Sequence, residues 1–226
     1  MRRRRFTNAT LAAVGALLGK AGWAAGLSDA DAASGIRAAL ERGAGSAVDL
    51  LGRHDGFLGN PKVRIQLPKA MKDAAKVAKL LGQQKQVDEL VTAMNRAAEA
   101  AVPEAKALLI SAAKSMSVDD ARRIVSGGDD SVTKFFAAKT RQPLAEKFLP
   151  IVTRQTEKVD LAARYDALAA KAAGMGLVKG DEANVERYVT GKALDGLYLM
   201  IGEEEKKIRR DPIGTGSAIL AKVFGK

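Results

Sequence analysis

From residue 28 onward, apolar side chains return at intervals of three and four, and alanine supplies many of them. That period puts one apolar face on a helix, and small side chains on the face let helices approach closely. Ser28, with Asp31 three residues on, has the form of a capping box. Behind it Ile36, Leu40, Ala44, Ala47, Val48 and Leu51 make the first stripe. Pro68 suits the first turn of a second helix carrying Met71, Ala74, Ala75, Ala78 and Leu81, which stops at Gly82. A third stripe runs through Val87, Leu90, Val91, Met94, Ala97, Ala98 and Ala101. Pro103 kinks it or begins the next, with Leu108, Leu109, Ala112 and Met116. Ser117 and Asp120 repeat the capping pattern ahead of Ile124 and Val125.

Further short helices are expected around Phe135–Phe136, from Pro143 with a bend or division at Pro150, from Val159 to Leu168, and at Tyr188–Val189. The clearest helix spans Thr190 to Arg210, stopped by Asp211-Pro212. A last one carries Ile219, Leu220, Val223 and Phe224. Only Val63, Ile65 and Leu67, alternating with Arg64 and Gln66, read as extended. The sequence therefore predicts an all-α fold: one domain over residues 25–226, about eight to ten helices, and one short extended segment at 63–67. No fixed-period repeat is visible.

The leader is the exception. Arg2 to Arg5 precede an uncharged stretch, Leu11 to Leu18, then Lys20 and the small-residue segment around Ala24 and Ala25. This is the plan of a cleaved secretory signal over residues 1–24, and the apolar part is too short to span a bilayer. Arg3-Arg4-Arg5-Phe6 resembles the twin-arginine motif of the route that exports folded proteins. Gly15 and Gly19 dilute the apolar region and Lys20 sits before the cleavage segment, both of which favour that route. An arginine-rich mitochondrial presequence is the competing reading. A periplasmic product follows from the first. Cleavage after Ala24 removes five of the 37 basic residues and none of the 26 acidic ones, so the net charge falls from +11 to +6. No transmembrane helix is expected in the mature chain.

Composition narrows the chemistry. With 47% hydrophobic and 28% charged residues the chain is neither disordered nor polytopic. Without cysteine there are no disulfides, thiolate zinc sites, iron–sulfur clusters or cysteine nucleophiles. One histidine argues against a histidine-rich metal site or a histidine-paired triad. No cofactor is expected. Nucleic acid is not an expected partner, because bases alternate with acids and aromatics are only 4%.

Several blocks stand out: His54 through Pro68, Met94 through Glu99, Gly127-Gly128-Asp129-Asp130, Tyr188 through Leu197, and Glu203 through Arg209. Together they resemble, in the right order and over nearly all of the chain after residue 26, a bacterial family known as domain of unknown function 4197. The resemblance implies an exported helical protein and carries no activity.

Each block can be weighed for chemistry. Asp129 and Asp130 lack calcium-loop spacing, and a helix cap accounts for them. His54 and Asp55 are adjacent in a loop with no nucleophile marked beside them. Asn95 lies on the flank of its stripe, where an amide ties helices or a loop together; Arg96 points away from the stripe. On the Thr190–Arg210 helix Glu203 falls opposite the stripe, while Glu204 and Glu205 fall on its two edges. Glu203–Lys207 and Glu205–Arg209 have the favoured i,i+4 order. Glu204 has Ile208 there instead, so it is expected to be the partly buried carboxylate in need of a distant partner: Arg64, Arg96 or Lys192. These seven, Glu204, Arg96, Asn95, Arg64, Lys192, Asp129 and Asp130, are the candidate polar residues.

Three function classes follow. The first is a non-catalytic binding or interaction module, for instance for an envelope protein. The second is a carrier of an apolar small molecule such as a lipid or quinone, held between helices, although the methionines fit core packing equally well. The third is a carboxylate-based hydrolase, which no spacing supports.

Overall fold

Ser28 starts the first described helix by accepting a hydrogen bond from Asp31 N at 3.1 Å. The computed structural model describes residues 28–158, 160–173 and 184–211. The expected leader, the glycine-marked loop at 174–180 and the helix at 219–224 lie outside them. In chain order the helices are α1 (Asp29–Leu51), α2 (Lys69–Leu80), α3 (Gln84–Ala101), a 3-10 turn (Val102–Glu104), α4 (Ala105–Lys114), α5 (Val118–Ser126), α6 (Ser131–Glu157), α7 (Leu161–Ala173) and α8 (Val185–Arg210). Among the described residues there is no strand. Ser117 and Asp120 form the full reciprocal capping box, at 3.0 and 3.1 Å.

One core joins all the helices. α8 packs on α6, α1 and α3, with α4 and α5 on the flank of α1, and α2 and α7 paired beyond α3. Met71, Met94, Met116 and Met200 are all core residues. Tyr198 of α8 meets Thr140 of α6 at 2.8 Å. Thr140 spends its proton on the Phe136 carbonyl at 2.7 Å, so the tyrosine hydroxyl donates to it. Burial pushes the Tyr198 hydroxyl pKa up.

Two of the helices are longer than the sequence suggests. α6 runs unbroken through Pro143 and Pro150. Its buried residues fall at every fourth position from Val132 to Thr156. Each step of four overshoots a full turn by about 40°, so the buried stripe winds around the helix and meets several neighbours in turn. The carbonyls that the two prolines leave without an amide partner belong to Lys139 and Glu146, both exposed residues, where water can serve them. Tyr188–Val189 is not a separate helix either. α8 begins at Asn184, whose side chain accepts from Arg187 N at 2.8 Å.

The 63–67 segment is extended but forms no ladder. Val63, Ile65 and Leu67 are buried and Arg64 and Gln66 are exposed, as the alternation predicts. The side chain of Asn95 stands in for a neighbouring strand. Its oxygen accepts from Ile65 N at 2.8 Å and its nitrogen donates to Ile65 O at 2.9 Å and Val91 O at 2.7 Å. No described helix is long and apolar enough to cross a membrane.

Candidate functional site

The loop after α1 is built on two backbone requirements. Asp55 adopts φ 63°, a conformation aspartate tolerates better than most residues. Next to it, a Cβ on Gly56 would stand 2.4 Å from Leu51 O, so only glycine fits. The loop then folds onto α3. Glu99, buried, accepts from Phe57 N at 3.0 Å, Leu58 N at 3.1 Å and Arg96 at 2.6 Å. Arg96 also reaches Asp55 at 2.8 Å and holds that carboxyl below its usual pKa. The hydrogen bond that Arg96 donates to Glu99 in turn raises the Arg96 pKa. His54, unlike most sequence neighbours, does face Asp55, at 3.2 Å, because the turn at residue 55 brings the side chains together. Both are exposed, and Asp55 is engaged by Arg96. On the far side, the Phe57 ring seats against Gly196 of α8.

A second junction joins α5, α6 and α8. Glu205, 3% exposed, accepts from Val132 N at 3.2 Å, Thr133 N at 3.3 Å and Ser131 Oγ at 3.2 Å, and pairs with Arg209 at 2.9 Å. A carboxylate from α8 thus caps the N-terminus of α6, where the helix dipole favours negative charge. Asp130 occupies the cap position, but its side chain makes no capping bond and pairs instead with Lys134 at 2.9 Å, which lowers its pKa. Asp129 is exposed.

These contacts revise the reading of α8. The fully buried carboxylate of α8 is Glu205, while Glu204 is partly buried and paired, as expected, but with a partner on its own helix. Glu204 keeps 19% of its side chain exposed and pairs with Lys207 at 2.5 Å. None of Arg64, Arg96 and Lys192 reaches it. Glu203 does not sit alone on a far face: it pairs with Lys206 and, across the chain, with Lys62, whose ammonium holds its pKa down. Asn95 ties a loop, as expected.

The blocks therefore converge on two internal junctions, and what they leave on the surface is a groove of about 570 Å³ between the 63–67 segment, the start of α2 and α8. Lys62, Arg64, Lys69, Lys72 and Lys192 line it, against one acid, Asp195. Tyr188, whose hydroxyl donates to Gln66 O at 2.7 Å, and Leu199 add an apolar wall. Lys192 lies 3.5 Å from Asp195, which Arg141 also takes at 2.6 Å, and 5.8 Å from the Tyr188 ring centroid. Arg64, Lys69 and Lys72 have no carboxylate partner among the described residues. A smaller groove of about 310 Å³ continues along α2 past Lys76 and Lys79. Lys69, Lys72, Lys76 and Lys79 recur at intervals of three, four and three, a signal present in the sequence but masked by the even mixture of charges elsewhere.

Other cavities are less suited to a ligand. The groove of about 1140 Å³ among α3, α6 and α7 holds charges of both signs, and Arg164 pairs with Glu89 there at 3.1 Å. The apolar cleft among α1, α5, α6 and α8 is about 20 Å³, room for one water. No cluster of three or more His, Cys, Asp or Glu suited to a metal ion occurs among the described residues.

The class these features define is an all-helical single domain, closed by two buried carboxylate junctions and carrying a basic groove beside an extended segment. The chain belongs to the family described as Protein of unknown function (DUF4197), whose model matches residues 26–225. No curated protein and no solved structure matches it.

Proposed function

We propose that this protein is an exported, periplasmic binding module without catalysis, and that its basic groove takes an anionic ligand bearing phosphate or carboxylate. The observation that carries the reading is the set of cations at 62, 64, 69, 72 and 192 facing a single acid in a groove of about 570 Å³. Three of them, Arg64, Lys69 and Lys72, are not neutralised by a carboxylate of the described chain. Such a concentration of one sign in a cleft attracts anions, and arginine can take a phosphate or carboxylate through two parallel bonds. A hydrolase reading has less support, since the groove offers one carboxylate and that one is paired twice.

The export half rests on the arginine block and short apolar stretch of residues 1–24. Intact-mass measurement of fractionated cells is expected to find the chain in the periplasm, cut near Ala24. A full-length mass in the soluble cytoplasm overturns it. For the binding half, the protein is purified from its native compartment and its bound small molecules are identified by mass spectrometry, alongside thermal unfolding with added inorganic phosphate or citrate. An anion is expected to raise the unfolding midpoint by linkage, and the variant Arg64→Ala/Lys69→Ala/Lys72→Ala is expected to lose the effect while folding normally. Recovery of a neutral apolar molecule instead supports the carrier reading.

A further inference from the structure

We infer that the C-terminal end of α2 attaches this protein to the surface of an anionic phospholipid membrane. α2 buries Met71, Ala74, Ala75 and Ala78 against α3 and α7. Its outer side carries the lysines at 69, 72, 76 and 79 as one row. Its end carries apolar side chains in water: Val77 is 50% exposed, Leu80 87% and Leu81 71%. Leu81 was expected in the core stripe. It is displaced because the helix ends at Leu80 and Gly82, at φ 80°, turns the chain back, with Gln83 N donating to Ala78 O at 2.9 Å. The leucine pair is left at a protruding corner.

Exposed leucines on their own are ordinary. Leucines at the tip of a short helix beside a row of ammonium groups are a particular arrangement. On a lipid surface the leucines enter the acyl boundary while the lysines lie at the depth of the headgroup phosphates. The acids nearby offset only part of the row: Asp73 pairs with Lys76 at 2.7 Å and Asp88 with Lys79 at 3.7 Å, while Lys69 and Lys72, with Arg64 beside them, have no carboxylate partner among the described residues. Charge complementarity selects an anionic surface and opposes self-association through the same face. The apolar anchor, Val77, Leu80 and Leu81, does not line the groove of the proposed function, whereas Arg64, Lys69 and Lys72 belong to both.

The chain has no cysteine, so Leu81→Cys can carry a single environment-sensitive fluorophore, and Ser111→Cys on α4, also exposed, is the control. Vesicles of phosphatidylcholine with 30% phosphatidylglycerol are compared with pure phosphatidylcholine, inorganic phosphate and polyglutamate. We expect a blue shift at position 81 with the anionic vesicles alone and none at position 111. Leu80→Ser, in the chain labelled at position 81, is expected to lower partitioning about tenfold, the order that burying a leucine supports. Equal shifts at both labels, or none, overturn the inference, since attachment then lies elsewhere or does not occur. A shift at 81 with phosphate or polyglutamate overturns it in favour of an anion or an acidic protein. Anion stabilisation of the groove is measured separately, and only the label at position 81 reports on the leucine corner, so failure of one reading is distinguishable from failure of the other.

Discussion

At the level of single residues, two glutamates differ by one position and by almost everything else. Glu205 is buried on three α6 donors and Arg209; Glu204 meets one lysine at the surface. Breaking a buried pair costs ~3–5 kcal/mol, and Glu205→Ala is expected near ~3 because Arg209 keeps the Ile124 carbonyl and the Ser131 hydroxyl. Glu204→Gln is expected within ~0.5 kcal/mol of wild type. Denaturant unfolding of the two side by side checks this, and equal effects would contradict it. Asp55 makes a pH prediction. Arg96 depresses its folded pKa below the ordinary 3.8. Its contribution is complete above 3.8 and is lost as pH falls through the depressed value, because the unfolded chain takes up the proton first. Glu203, depressed by Lys62, acts in the same direction. Acid titration of the unfolding midpoint is expected to show a shallower decline in Asp55→Asn than in wild type.

At the level of elements, the sequence was legible where pattern and burial agree. The α1 and α3 stripes, the Ser117 box and the alternation at 63–67 all appear as the residues imply. Three local features were misleading. Pro143 and Pro150 read as breaks, yet packing along a winding stripe keeps α6 whole. Glu204 and Glu205 are equivalent on a helical wheel, and only the position of α6 separates them. Glu99 is absent from the candidate residues, although its place one turn beyond Asn95 on the same flank marks it in the sequence. Tertiary fit also sets the seat of the Phe57 ring. A Cβ at Gly196 would lie 2.7 Å from Phe57 Cε1 and 3.3 Å from Val63 Cβ. Gly196→Ala is therefore expected to destabilise by ~1–3 kcal/mol, the usual cost of overpacking, while Gly191→Ala, with open space around it, is expected to lose nothing. Thermal melts of the pair distinguish them.

For the whole molecule, the fold class could be read from spacing alone, whereas the groove could not. Its cations come from a loop, the start of α2 and α8, over a hundred residues apart, and only the fold brings them to one surface. Net charge gave no hint of its place, since a total says nothing of where the excess lies. α8 holds several of the long-range ties: it seats Phe57, caps α6 through Glu205, bonds Gln66 through Tyr188 and pairs with Lys62 through Glu203. A chain ending at residue 184 is accordingly expected to lack cooperative unfolding by circular dichroism, and a sharp transition in it would refute this. The cap on α6 sets an order of events as well. The carboxylate that satisfies Val132 N and Thr133 N is supplied from 72 or more residues later in the chain. While the nascent chain is still emerging from the ribosome, α6 has no such partner for its first turn. Closure of the domain must therefore wait for the last described helix to be synthesised, and contacts of such long separation slow folding. If, as proposed, the protein is exported, and by a route that accepts only finished folds, it would leave the cell's interior no earlier than that helix allows.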